Sequence, residues 1–167
     1  MNLRRFFRLA AARPGAVVVD VAYANGLGVI RDLGRHGIPV LGLDTEDDAL
    51  GFSSRYAAGM VCPDPRRDET GFIAFLEELG ERLPRPAVVF PTHDEFVWPI
   101  SRHADHLERW YRVPFSRWPV MQRLYDKRAQ VEAAWRAGVD TPRTAFIAGA
   151  DDLETAATKV TYPAVLK

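Results

Sequence analysis

From residue 16 onward the chain alternates short apolar, β-branched runs with longer segments whose apolar residues recur every three to four positions. Runs of the first kind suit strands, and segments of the second kind suit helices that turn one face to a core. Residues 16–21, Ala-Val-Val-Val-Asp-Val, read as a continuous apolar strand covered on both faces. A helix is predicted next: Asn25 is placed to cap it, Leu27, Val29, Ile30 and Leu33 supply an apolar face, and His36-Gly37 ends it before Pro39. Residues 40–43 predict a second strand with Asp44 at its carboxyl end, and residues 59–62 a third, reached through the polar segment Ser53-Ser54-Arg55-Tyr56. Phe72, Phe75, Leu76, Leu79 and Leu83 recur at helical spacing opposite Glu77, Glu78, Glu81 and Arg82, the pattern of a covering helix. Residues 87–91 predict a fourth strand, which breaks into Thr92-His93-Asp94-Glu95 before a helical run to Leu107.

Strands alternating with helices in this way predict an α/β domain, a Rossmann-like open, mostly parallel sheet with helices on both faces. Further on the pattern changes. Trp110, Tyr111, Pro114, Phe115, Trp118 and Pro119 mark a connection, residues 120–136 predict one long helix, and residues 144–147 and 163–167 predict strands around a short helix over 151–160. A boundary is therefore placed near Arg117: a basic arm over 1–15, expected to be flexible, then a domain over 16–117, then a second segment over 118–167.

Composition narrows the function classes. Lys plus Arg equals Asp plus Glu at 22 each, which removes the electrostatic case for a nucleic-acid or anionic-membrane surface, so any phosphate site must be local. No apolar run approaches the roughly 20 residues that span a bilayer, and the basic start is broken by Arg8 and Arg13 before a signal-peptide core can form. The single cysteine, Cys62, can make neither an internal disulfide nor a zinc site alone; it is expected as a buried strand residue of a cytoplasmic protein.

In an open parallel sheet ligands collect at the carboxyl ends of the strands, where loops expose backbone donors and helix N-termini. Three segments qualify. Ala22-Tyr23-Ala24-Asn25-Gly26-Leu27-Gly28 lets the backbone approach a ligand, with Asn25 and Gly26 as candidates, although Ala22 and Ala24 stand where a dinucleotide site would want glycine. The same segment also reads as a tight strand-to-helix turn. Thr92, Asp94 and Glu95 follow the fourth strand, where two carboxylates behind a capping threonine can receive an amine or hydroxyl, or simply complement a helix dipole. Asp44-Thr45-Glu46-Asp47-Asp48 offers an acid for a ribose hydroxyl but reads better as a solvated acidic loop. His103 and His106 share a helix face without a third ligand at metal spacing, and read as a solvent-facing pair; no metal site and no catalytic residue is assigned.

Asn25-Gly26-Leu27-Gly28-Val29-Ile30-Arg31-Asp32-Leu33-Gly34 with Gly37-Ile38-Pro39-Val40, Ser53-Ser54-Arg55-Tyr56, Phe90-Pro91-Thr92-His93-Asp94-Glu95, Asp126-Lys127, the run from Gly138 to Thr144, and the terminal Tyr162-Pro163-Ala164-Val165-Leu166-Lys167 together carry a resemblance. Over residues 17–167 the chain resembles the amino-terminal part of an ATP-grasp enzyme of the carboxylate–amine ligase kind. The resemblance implies a pre-ATP-grasp domain followed by the first helix and strands of an incomplete ATP-grasp domain. It implies that Lys127 and Lys167 hold ATP phosphates, and that Asp94 or Glu95 lies near a bound amine or carboxylate substrate. Such enzymes phosphorylate a carboxylate with ATP and Mg²⁺ and let an amine attack the acyl phosphate. In this family the magnesium ligands and the adenine hinge belong to sequence beyond the position of Lys167, so the chain alone is expected not to turn over. An unfinished second domain would expose apolar surface and favour homo-oligomers. Two other readings stand beside this one: a standalone α/β small-molecule-binding or regulatory module without catalysis, and a dehydrogenase fragment using Asp44 for ribose, which lacks the glycines.

Overall fold

The structure is a computed structural model and describes residues 1–161 and 163–165. The chain forms two compact units, residues 1–118 and 119–167. In the first, β1 (Ala16–Val19), β2 (Val40–Asp44), β3 (Ala57–Val61), β4 (Ala87–Pro91) and β5 (Tyr111–Arg112) make one all-parallel sheet in the order β3-β2-β1-β4-β5. The chain builds outward from β1 through β2 to β3, then returns to the other side of β1 for β4. The carboxyl ends of β1 and β4 therefore flank the topological switch point, where the connecting loops diverge and leave a crevice.

Alternation along the strands divides the core. Val17, Val19, Leu41, Leu43 and Val89 pack with Phe72, Leu76 and Leu79 of α3 (Glu69–Arg82) and with Phe96 and Ile100 of α4 (Asp94–Arg102). On the opposite face Val18, Val40 and Ala57 pack with Ile30 of α2 (Ala24–Arg35). Both faces are covered, so the strands are apolar throughout, as the sequence pattern requires. Asp68 caps α3 by accepting from the Gly71 N–H at 2.8 Å, and α2 ends at His36 with Gly37 at φ 72°, a left-handed value that glycine takes without steric cost.

Several expectations are corrected. The basic start is a helix, α1 (Leu3–Ala12), not a flexible arm: Asn2 caps it, Arg4, Arg5 and Arg8 face outward, and Phe6 and Ala10 are buried against β2 and β3 in the main core. Burying a Phe side chain stabilises by about 2 kcal/mol, which offsets part of the backbone entropy lost on ordering that turn. The supposed connection after Arg109 contains β5, anchored by the buried Tyr111, whose hydroxyl donates to the Leu76 carbonyl at 2.7 Å. The single long helix is two, α6 (Trp118–Tyr125) and α7 (Lys127–Arg136), because Asp126 takes an extended ψ of 116° and caps α7 through the Ala129 N–H at 2.9 Å. Residues 144–147 form no strand, and no strand among the described residues runs beside them to complete a ladder; residues 163–165 form none either, and Leu166 and Lys167 lie outside the described residues. The short helix over 153–159, α8 (Leu153–Lys159), is present as expected.

Cys62, just past β3, is buried, and burial followed by the nearby charges of Asp44 and Asp64 pushes its thiol up to about 12. At about pH 8 only one thiol in roughly ten thousand is then thiolate. Iodoacetamide is expected to leave native Cys62 unmodified over an hour and to alkylate it promptly in guanidinium; native and unfolded rates within tenfold of each other would contradict the burial.

Candidate functional site

A cleft of about 460 Å³ lies at the carboxyl ends of β1, β2 and β4, within the size range of small-molecule sites. Its walls include Asp20 after β1, Asn25 at the start of α2, Glu46 after β2, Arg66 after β3, and His93 and Glu95 around the start of α4. Tyr23 and Phe96 add aromatic surface.

Asp20 is the unusual member. It is the one non-glycine residue among those described with a positive φ, at 67°. This left-handed turn breaks the side-chain alternation of β1: Val18 and Val21, three apart, both pack on the α2 face, where an unbroken strand would have placed Asp20. The carboxylate is thereby kept out of the apolar core and turned to the cleft. The backbone is held there from three directions. Asp20 N–H donates to the Leu43 carbonyl at 2.9 Å, the Thr92 hydroxyl donates to the Asp20 carbonyl at 2.6 Å, and Gly26 lies directly beneath that carbonyl. Asp20 is only 7% exposed, yet its carboxylate has no hydrogen bond and no ion pair among the described residues. Burial raises its pKa, and the charges of Asp44 and Glu95 raise it further, against the opposing pull of His93 and Arg66.

Asp44 plays a different part from the solvated acid or ribose ligand expected. It is 2% exposed, and its Oδ2 accepts the Val21 and Ala22 N–H groups at 2.7 Å each, while Oδ1 accepts Glu46 N–H at 3.1 Å. The carboxylate at the end of β2 thus pins the loop that leaves β1. Because Val21 and Ala22 point their donors at Asp44, that loop is no phosphate cradle, and Asp44 is not free for a ribose diol. Glu46, Asp47 and Asp48 remain exposed, as expected of an acidic loop.

On the far wall Asp64 accepts from both the backbone N–H and the Nε of Arg66, each at 2.9 Å, and this bonding holds the Asp64 carboxyl below, and the guanidinium above, their usual ranges. Arg66 Nη1 reaches Glu95 at 3.3 Å, and His93 Nδ1 lies 3.6 Å from the same carboxylate.

Comparison of the chain with family models, curated proteins and solved structures finds no match.

Of the residues singled out from the sequence, Asn25 and Glu95 line the cleft. Asn25 is not the helix cap; Tyr23 occupies that position, and the Asn25 amide instead donates to the Thr92 carbonyl at 2.9 Å, tying α2 to β4. Gly26 and Thr92 build the cleft from below without lining it, and Asp94 is exposed in the first turn of α4 outside it. His103 and His106 each face a different glutamate of α3, Glu69 at 3.2 Å and Glu77 at 3.4 Å, and no group of three or more metal-binding side chains occurs among the described residues. Asp20, Arg66 and His93 carry the site without having been singled out. Asp20 had a legible signal, a lone acid inside an apolar strand; Arg66 had none, since only the fold brings the β3 loop to β4.

In the second unit Lys127 is the exposed first residue of α7, its Nζ 3.2 Å from Gln130 Oε1. Lys167 lies outside the described residues. A second cleft of about 440 Å³ is lined by Arg128, Thr144, Phe146, Asp152, Thr155 and Lys159, with the Arg128 guanidinium over the Phe146 ring at 5.0 Å.

Proposed function

We propose that the chain is the substrate-side portion of an ATP-dependent carboxylate–amine ligase. In this reading the cleft of the first unit holds a small-molecule substrate, and Lys127 serves the ATP phosphates together with Lys167. The carrying observation is the cleft at the topological switch point with the unpartnered Asp20 carboxylate in its wall, a costly arrangement for a merely structural loop. ATP, when bound, would supply the phosphoryl group that turns a carboxylate oxygen into a leaving group. Lys127 fits a phosphate as an exposed cation with three donors on the first turn of a ten-residue helix. The described residues include no carboxylate set arranged for magnesium.

A second reading, a small-molecule-binding or regulatory module, is favoured by one observation: every charged residue of the first cleft lies in a unit of 118 residues that has its own core. Phosphate release from ATP by the complete protein carrying this sequence, titrated with amino acids as carboxylate and amine donors, separates the two. The ligase reading expects release that requires both partners and falls about tenfold or more in Lys127→Ala, the cost of losing a charge-assisted contact. Ligand binding in the cleft with no ATP-dependent release would overturn it in favour of the module.

A further inference from the structure

We infer that the cleft of the first unit is a site for the primary ammonium group of a small organic amine, received by the carboxylates of Asp20 and Glu95. The inference rests on the small-molecule reading of the cleft and is independent of the ATP step.

Four carboxylates, those of Asp20, Asp44, Glu46 and Glu95, line the cleft against one guanidinium, that of Arg66. The guanidinium already bonds Asp64 and Glu95. Asp44 is occupied by backbone donors, whereas Asp20 has no partner. Asp20 is only 7% exposed as a residue, and its carboxylate opens to the cleft without a protein partner, so a cation placed beside it gains a charge-assisted contact that the protein leaves unmade.

The chemistry of the cation follows from the surroundings. An anion would meet the carboxylates, and the loop that might have cradled a phosphate has turned its N–H groups to Asp44. A bare divalent ion would want six or more oxygen ligands, and no such cluster is set among the described residues. A primary ammonium needs only two or three acceptors, and its carbon skeleton suits the Tyr23 and Phe96 rings in the same wall. Glu95 is oriented for the second contact by Arg66 at 3.3 Å and His93 at 3.6 Å.

The groups facing Asp20 are Asp44, His93, Glu95 and Arg66. A bound ammonium favours the ionised carboxylate, so affinity should weaken as pH falls through the raised Asp20 pKa.

The test uses the full chain, labelled with ¹⁵N and titrated near neutral pH with glycine, L-alanine, L-lysine and 1,4-diaminobutane, each beside its counterpart acetylated at every amine, up to about 10 mM. At least one free amine should shift the amides of residues 20–25 and 92–95, and its acetylated form should not. Asp20→Asn tolerates the left-handed backbone and should weaken that binding about thirtyfold or more while leaving the melting temperature equal or higher. Silence from every free amine, equal binding of acetylated forms, or unchanged affinity in Asp20→Asn each overturns the ammonium site. Amine binding without ATP-dependent phosphate release leaves this site standing and removes only the ligase reading.

Discussion

Replacing Asp44 by alanine is expected to cost about 4 kcal/mol of folding stability, the largest loss from any polar substitution in the first unit. Three backbone N–H groups, those of Val21, Ala22 and Glu46, donate to this carboxylate, two of them at 2.7 Å. Bonds to a charged acceptor contribute about 1.5–3 kcal/mol each, and they are not additive because water can reach Ala22 more readily than Val21. Alanine leaves the Val21 donor buried with nothing to accept it. With a urea dependence of about 2 kcal/mol/M, the unfolding midpoint should fall by about 2 M. Asp44→Asn should fall between wild type and alanine, since its amide oxygen can accept while its NH₂ group meets another donor. A midpoint within about 0.5 M of wild type for Asp44→Ala would show that the loop holds itself and that the carboxylate belongs to the ligand.

The pH dependence separates Asp20 from Asp44. The folded state raises the Asp20 pKa above its unfolded value, so folding is unpenalised below the usual carboxylate range. The penalty develops as pH rises through the raised pKa and stays in full above it. Asp20→Asn should therefore be more stable than wild type at neutral pH, and the difference should close as pH falls towards about 4.

How far the sequence disclosed this site depends on the range over which each signal acts. β1, β2, β4 and α3 were legible because burial on two faces, or on one helical stripe, writes itself into neighbouring residues. β5 was not, since two residues carry no period. α1 was obscured by its outward arginines, although Phe6 and Ala10 stand four apart on its inner face. Asp44 looked like the first of a run of loop acids because the donors it accepts come from 22 and 23 residues away. The left-handed turn at Asp20 had only a weak local marker, an aspartate inside an apolar run, since aspartate enters that region less readily than glycine. Its cause is the competition between burying Val21 and burying a charge.

That competition makes Gly26→Ala the second large effect. In a helix alanine is favoured over glycine by about 1 kcal/mol, so a substitution in the first turn of α2 would ordinarily stabilise. Here the added Cβ would lie 2.5 Å from the Asp20 carbonyl oxygen and 2.8 Å from the Val21 Cα. Both are backbone atoms, and neither can swing aside: the Asp20 carbonyl is fixed by the Thr92 hydroxyl and the Val21 N–H by Asp44. Relief requires α2 to back away by about 1 Å, opening contacts around Ile30 at a cost of about 3 kcal/mol, for a net loss near 2 kcal/mol. The same movement carries Asn25 off the Thr92 carbonyl and displaces the Asp20 carboxylate from its position in the cleft. A shift of that size in a binding constellation can cost about a hundredfold. Any amine that binds the wild-type cleft should therefore bind Gly26→Ala far more weakly at temperatures where both are fully folded. Gly28→Ala, two residues on and with open space around its Cβ, should change neither stability nor affinity for the worse. Were Gly26→Ala as stable as Gly28→Ala, the close approach of α2 to the β1 turn would be wrong, and with it the reason Asp20 points where it does.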